Sequence, residues 1–222
     1  MLRAMRGRRN GRLVVLGLLA FAWAALARGD NAKAEVPFAA AKDISDGSVS
    51  GVTSLVAGDI NGDGRADVVV IEGGKHAGGR KTFAWFKAPA DTQGTWRRHE
   101  FNPGAPLRVF LGAARLADMD ADGDLDLIVS SDNHSGGKKE ADVCVFINPM
   151  PNGQATETWK WHKANASLLP FHHINDMEIA DMDGDGTLDI VVRSLEPNQI
   201  HIFFQNGNAS YTRKSIDTGI EQ

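Results

Sequence analysis

Three segments of this chain place carboxylates at a spacing suited to a hard divalent cation. They run over 59–67, 118–126 and 181–189. Positions 1, 3 and 5 are Asp59, Asn61 and Asp63 in the first, Asp118, Asp120 and Asp122 in the second, and Asp181, Asp183 and Asp185 in the third. Position 6 is Gly each time, and position 9 is Asp67, Asp126 or Asp189. Calcium takes about six to eight oxygens, and a tightly turning loop offers alternate side chains to one centre. Gly at position 6 permits a turn that a Cβ would resist, so the position 7 carbonyl of Arg65, Asp124 or Thr187 also reaches the ion. The competing reading is a plain Asp/Gly turn. Three copies in one register favour the metal, with up to three calcium ions expected and a lower site charge in the first loop, where Asn61 replaces a carboxylate. The ions are expected to be structural, because every side-chain ligand position is filled and none is left for a substrate.

The closing carboxylate stands at position 9, not at position 12 as in an EF-hand, and short aliphatic runs follow it: Val68 to Ile71, Leu127 to Val129, Ile190 to Val192. Such runs make strands, so each loop feeds a buried strand, not a helix. Loop starts at 59, 118 and 181 define repeats of about 60 residues. Each repeat divides into four strands, over 54–101, 108–163 and 175–217, and no segment holds a helical period. Four-stranded units repeated radially are the blades of a β-propeller, which protects its sheet edges by closing on itself. The expected fold class is therefore all-β, built of three four-stranded propeller blades.

The three loops resemble those of the FG-GAP/VCBS repeat family, found in the integrin alpha-chain head and in secreted bacterial proteins that include sugar lyases and dehydratases. The resemblance covers residues 54–217. A literal Phe-Gly…Gly-Ala-Pro signature is absent, with Leu111-Gly112-Ala113 the nearest approach, which favours the bacterial secreted branch. It implies a calcium-binding propeller, and because propellers use about four to eight blades, three repeats imply part of a larger six- to eight-bladed one. Missing blades or another copy would then close the ring. Residues 35–53 are expected to serve as an N-terminal segment, with Val36 to Ile44 as the outer strand of a closing blade.

Residues 1–12 hold five arginines and no acid, and an apolar run of fifteen residues follows over 13–27. That is the pattern of a secretory signal peptide over 1–27, with small residues allowing cleavage as late as 34. The run is shorter than the ~20 residues that span a bilayer, so no stable membrane anchor is expected. Beyond residue 27 the balance is 19 basic against 28 acidic residues, or −9. No basic cluster points to nucleic acid. The single cysteine, Cys144, lies in an apolar strand run and has no partner for an internal disulfide. A secreted or periplasmic location follows.

On the rim opposite the calcium loops, the connections between second and third strands match: His76, Arg80 and Lys81 in one, His134, Lys138 and Lys139 in the other, both within His-x-Gly-Gly-basic-Lys. His172, His173 and Arg108 belong to fourth-to-first connections on the same rim. These residues are candidate contacts for a carbohydrate or protein ligand. Two functions are open: a binding scaffold, or a polysaccharide lyase or sugar dehydratase in which His172 or His173 removes a proton beside a carboxylate neutralised by Arg108, Arg80 or Lys138. The bland alternative is a solvated Gly-rich turn duplicated with the blades. Trp85, Trp96, Trp159, Trp161, Phe203 and Phe204 are expected to pack between blades.

Overall fold

The computed structural model describes residues 41–73, 81–91, 93–101, 104–105, 107–133, 140–149, 159–165, 172–196, 198–207 and 209–216. The expected leader over 1–27 and residues 36–40 of the expected outer strand lie outside them. Among the described residues the fold is all-β. Twelve strands form three four-stranded antiparallel sheets, each a simple meander in chain order. Blade 1 holds β1 (Val52–Gly58), β2 (Asp67–Gly73), β3 (Lys81–Lys87) and β4 (Arg97–Phe101). Blade 2 holds β5 (Phe110–Ala117), β6 (Asp126–Asn133), β7 (Glu140–Ile147) and β8 (Lys160–Lys163). Blade 3 holds β9 (His172–Ala180), β10 (Asp189–Glu196), β11 (Gln199–Gln205) and β12 (Tyr211–Ile216). The three sheets are propeller blades that do not close into a ring. Each carboxylate loop joins a blade's first strand to its second, as the sequence predicts.

Alternation along the strands explains the stacking. Side chains of a strand point to opposite faces with a period of two, so a blade between two others must be apolar at consecutive positions. The middle strands β6 and β7 of blade 2 are buried on both faces accordingly. Leu127, Val129, Cys144 and Phe146 share a core with Val69, Ile71, Phe83 and Trp85 of blade 1. The alternate residues Ile128, Val143 and Val145 share one with Ile190, Val192 and Phe203 of blade 3. The first seam is aromatic. Phe83 meets Phe146 edge-on at 5.3 Å, and Phe101 stacks on Trp159 at 4.7 Å between ring centroids. Each such pair contributes roughly 0.5–1.5 kcal/mol beyond its buried area.

The expected inter-blade aromatics divide between seam and surface. Trp85, Trp159 and Phe203 do pack at the seams. Trp96 instead packs on the other face of blade 1, against Val70, Ala84 and Phe86, where Ile44 and Val49 also lie. Trp161 is an exposed residue of the short outer strand β8. Residues 41–50 form turns and no strand.

Inner strands approach closely at Gly112, where β5 carries a register shift between Leu111 and Ala114. A Cβ at Gly112 would stand 2.2 Å from the Ile174 carbonyl oxygen and 2.5 Å from Ser130 Oγ. The Ser130 hydroxyl donates to that same Ile174 carbonyl at 2.7 Å and accepts from Ala113 N–H at 2.8 Å, so one side chain ties blades 2 and 3.

Candidate metal centres

The three loops repeat one hydrogen-bond scheme. The position 9 carboxylate is the hub, buried in all three as Asp67, Asp126 and Asp189. One of its oxygens accepts the position 2 N–H, from Ile60 at 3.3 Å, Met119 at 2.8 Å and Met182 at 2.8 Å. The other accepts a backbone N–H at the end of the third strand, from Ala88 at 2.7 Å, Asn148 at 2.8 Å and Gln205 at 2.9 Å. The position 1 carboxylate accepts N–H groups from inside its loop, including the position 6 glycine: Gly64, Gly123 or Gly186. Asp63, Asp122 and Asp185 each accept the N–H of position 7. Position 6 is left-handed throughout, at φ 84°, 95° and 90°. So is position 4, where Ala121 at φ 61° stands among glycines, a constraint that the sequence pattern did not reveal.

In loops 2 and 3 the carboxylates converge. Ligand oxygens of Asp118, Asp120 and Asp126 lie within 4.8 Å of one another, as do those of Asp181, Asp183 and Asp189. Burial pushes the Asp126 carboxyl up to about 7, with Asp120 and Asp122 adding to the rise against the two N–H bonds that oppose it. Burial, then the neighbouring Asp122, raises Asp120 as well. Each group is positioned by backbone donors yet crowded by like charge, an arrangement that could hold a divalent cation. The donor set is all oxygen and fits calcium. Asp118, Asp120, Asp122, Asp126 and the Asp124 carbonyl would hold one ion; Asp181, Asp183, Asp185, Asp189 and the Thr187 carbonyl would hold the other.

Loop 1 differs in its charges. Asp63 is ion-paired to Arg65 at 2.5 Å and to Lys87 at 3.1 Å. Burial works to raise its pKa, but Lys87 and Arg65 outweigh that and hold it below the usual carboxylate range.

Two amides that the sequence did not single out join neighbouring loops. Asn148 Nδ2 donates to the Ile60 carbonyl of loop 1 at 2.8 Å and to Leu125 at 3.0 Å. Gln205 Nε2 donates to the Met119 carbonyl of loop 2 at 3.0 Å. The same two residues give their backbone N–H groups to Asp126 and Asp189, so each clasps the preceding loop while capping its own. Only the amide's place one residue after, or at the end of, the third strand marked them, a signal visible once two blades are superposed. Beside this line, a cleft of about 520 Å³ opens between loops 2 and 3, lined among others by Asp118, Asp120, His162, Thr187 and Tyr211. His162 and Tyr211 stack at 5.8 Å and share a 3.2 Å hydrogen bond. Burial lowers the His162 pKa.

The opposite rim is described in part. His76, Arg80, His134, Lys138 and Lys139 lie outside the described residues, and of Lys81 and His172 only the strand backbone lies within them. His173 sits at φ 57° and its N–H donates to the Asp132 carboxylate at 3.0 Å. Arg108 donates from Nε to Asp142 at 2.9 Å and also pairs with Glu140. Asp142 is buried and takes Lys163 at 3.0 Å and the Asn165 amide at 3.0 Å as well. The Arg108 guanidinium is thus engaged by two carboxylates of its own blade.

Comparison with known families matches residues 118–192, which contain loops 2 and 3, to the FG-GAP-like repeat, and residues 51–80, which contain loop 1, to the FG-GAP repeat. No curated protein matches the chain.

Proposed function

This is an FG-GAP repeat chain, and we propose that it is a secreted, calcium-stabilised propeller scaffold that presents its rims to a protein or carbohydrate partner. The observation that carries the reading is the convergence of three carboxylates within 4.8 Å in each of loops 2 and 3, with no Lys or Arg in either loop sequence. At about 4 Å two like charges repel by roughly 4 kcal/mol at an effective dielectric of 20. A divalent cation turns that repulsion into attraction, and the position 9 hub carries the gain directly into β6 and β10. The leader-like pattern over 1–27 supports export. Extracellular calcium, present at far higher concentration than cytosolic calcium, would keep such sites filled.

Of the three cations that could neutralise a substrate carboxylate in a lyase, Arg80 and Lys138 lie outside the described residues, and Arg108 is already engaged. A residue that neutralises a substrate carboxylate must be free to meet it, whereas Arg108 is satisfied by Asp142 and Glu140.

Thermal unfolding with calcium, with magnesium and with chelator tests the reading. A ligand at 100 times its Kd stabilises the folded state by about 2.7 kcal/mol per site. Two sites should raise Tm by roughly 10–20 °C in a fold of this size, with magnesium less effective because it demands a tighter octahedron. Asp181→Ala should lower Tm in calcium and lose most of that difference in chelator. A melt indifferent to calcium would mean that the loops are plain turns.

A further inference from the structure

The three loops share one backbone path but not one charge environment. Two positions decide this. Position 7 is Arg65 in loop 1 against Asp124 and Thr187 in the others. The residue just before the one whose N–H caps position 9 is Lys87 in loop 1, against Ile147 and Phe204. Both cations fold back on the loop. Arg65 Nη2 stands 2.5 Å and Lys87 Nζ 3.1 Å from the same oxygen of Asp63. The Arg65 Nε also donates to the Ala88 carbonyl at 3.2 Å, which fixes the guanidinium against the strand that caps Asp67.

Position 3 adds an independent observation. Asn61 is 1% exposed. Its Oδ1 accepts the Asp63 N–H at 3.0 Å, so the amide orientation is set by the loop's own backbone. Its Nδ2 is buried without a hydrogen-bond partner. An N–H donor therefore lies buried at the position where loops 2 and 3 offer a carboxylate oxygen to a cation. With Asn61 at position 3, loop 1 keeps carboxylates at only two of the three positions, 1, 3 and 9, that converge within 4.8 Å in loops 2 and 3.

We infer that loop 1 is closed by its own cations, Arg65 and Lys87, and takes no calcium, so that the chain binds two ions and blade 1 is built independently of the metal. This rests on reading loops 2 and 3 as calcium sites. The physical logic is substitution. A loop that presents carboxylates inward must meet positive charge to stay compact, and a guanidinium and an ammonium supply it covalently tethered. An ion arriving at Asp63 would have to displace both and would find fewer oxygens. The three repeats thus divide into one self-neutralised loop and two metal-dependent ones, in place of the three equal sites that the sequence pattern alone suggests.

The test counts ions on the full chain after dialysis against trace calcium, beside hydrogen exchange with calcium and with chelator. Two ions per chain are expected, with amide protection changing at 118–126 and 181–189 and unchanged at 59–67. The paired substitution Arg65→Thr with Lys87→Ile copies residues found in the other loops and should raise the count to three. Three ions on the wild-type chain, or calcium-dependent protection at 59–67, would overturn the inference while leaving the calcium reading intact. A folded double variant that still takes two ions would also overturn it, because the cations would not then be what bars the site. Zero ions on the wild-type chain would remove the calcium reading itself. Should the double variant fail to fold, the wild-type count and the exchange pattern decide alone.

Discussion

Replacing Asn148 by Ala should loosen the seam between blades 1 and 2 while leaving the loop 2 cap in place. The side chain is 4% exposed and its Nδ2 makes two bonds, to Ile60 at 2.8 Å and Leu125 at 3.0 Å. A buried hydrogen bond contributes about 1 kcal/mol net, and an acceptor stranded without a partner costs about 1–3 kcal/mol. Water entering the vacated space recovers part of this, so the expected loss is about 2–4 kcal/mol. The backbone N–H of residue 148, which caps Asp126, survives the substitution. Ala88 occupies the equivalent place in blade 1 and caps Asp67 without any amide, which shows that the cap itself tolerates alanine. Asn148→Asp should be worse, since a carboxylate would face two carbonyl oxygens in a buried place. Urea unfolding in calcium, followed by tryptophan fluorescence, gives the magnitude; Trp85 and Trp159 both belong to this seam. Hydrogen exchange gives the location, with protection lost first at 59–61 and along β1 and β5. A loss under about 0.5 kcal/mol, or one spread evenly over all three blades, would refute the clasp.

Three further outcomes follow from the same structure. Gly112→Ala sets a Cβ 2.2 Å from the Ile174 carbonyl oxygen, and must push β5 from β9, costing about 1–3 kcal/mol or more; an unchanged urea midpoint would mean that the inner strands are looser than described. Burial drives the Cys144 thiol up to about 12, so an aromatic disulfide reagent at pH 8 should label it only as fast as the chain unfolds, and rapid labelling of native protein would contradict its burial. His201 is buried with Ser215 Oγ at 2.8 Å from Nδ1, and burial, then Arg213, lowers its pKa to about 4. Its folded pKa lies below the ordinary value of about 6.5, so the neutral form is preferred on folding; the stability is complete above that value and falls as pH drops toward 4, by on the order of 3 kcal/mol. His201→Gln should flatten the difference in stability across pH 6.5 to 4, measured in chelator, and an unaltered slope would assign the acid sensitivity elsewhere.

The architecture was legible because its signals are local and repeated. Asp at position 9 followed by a β-branched run fixes a loop-to-strand junction three times, and period-two patterning then dictates both faces of β2, β6 and β10. Residues that act across blades were not legible. Asn148 and Gln205 read as polar strand ends, since nothing nearby in sequence shows that their amides reach loops 88 and 86 residues earlier. Arg65 was assigned a role for its carbonyl, while its side chain decides the charge of the loop. Arg108 looked like a free cation on a rim because its partners, Glu140 and Asp142, stand on β7, more than thirty residues on. Trp96 and Trp161 failed as seam residues for a related reason: an aromatic at a strand position identifies a buried face only where a neighbouring sheet covers it.

One hydrogen-bonded line runs along the rim of the carboxylate loops and joins what the sequence presents as three separate loops. Ile60 gives its N–H to Asp67 and its carbonyl to Asn148; Asn148 caps Asp126; Asp126 accepts from Met119, whose carbonyl takes Gln205; and Gln205 caps Asp189. Both proposed ions therefore bear on a single residue, since Gln205 holds a peptide of loop 2 with its side chain and a ligand of loop 3 with its backbone. Ordering either loop should prepare the other, and by linkage the effect must be reciprocal. One hydrogen bond of about 0.5–1.5 kcal/mol carries it, which corresponds to roughly a 2–10-fold tightening of the second ion. Calcium titration by calorimetry should show two coupled events in the wild-type chain and two independent ones in Gln205→Ala, which keeps the cap on Asp189. Equal coupling in both proteins would show that the loops communicate through the packed seam of Ile128, Val145, Ile190 and Phe203, and not along the rim.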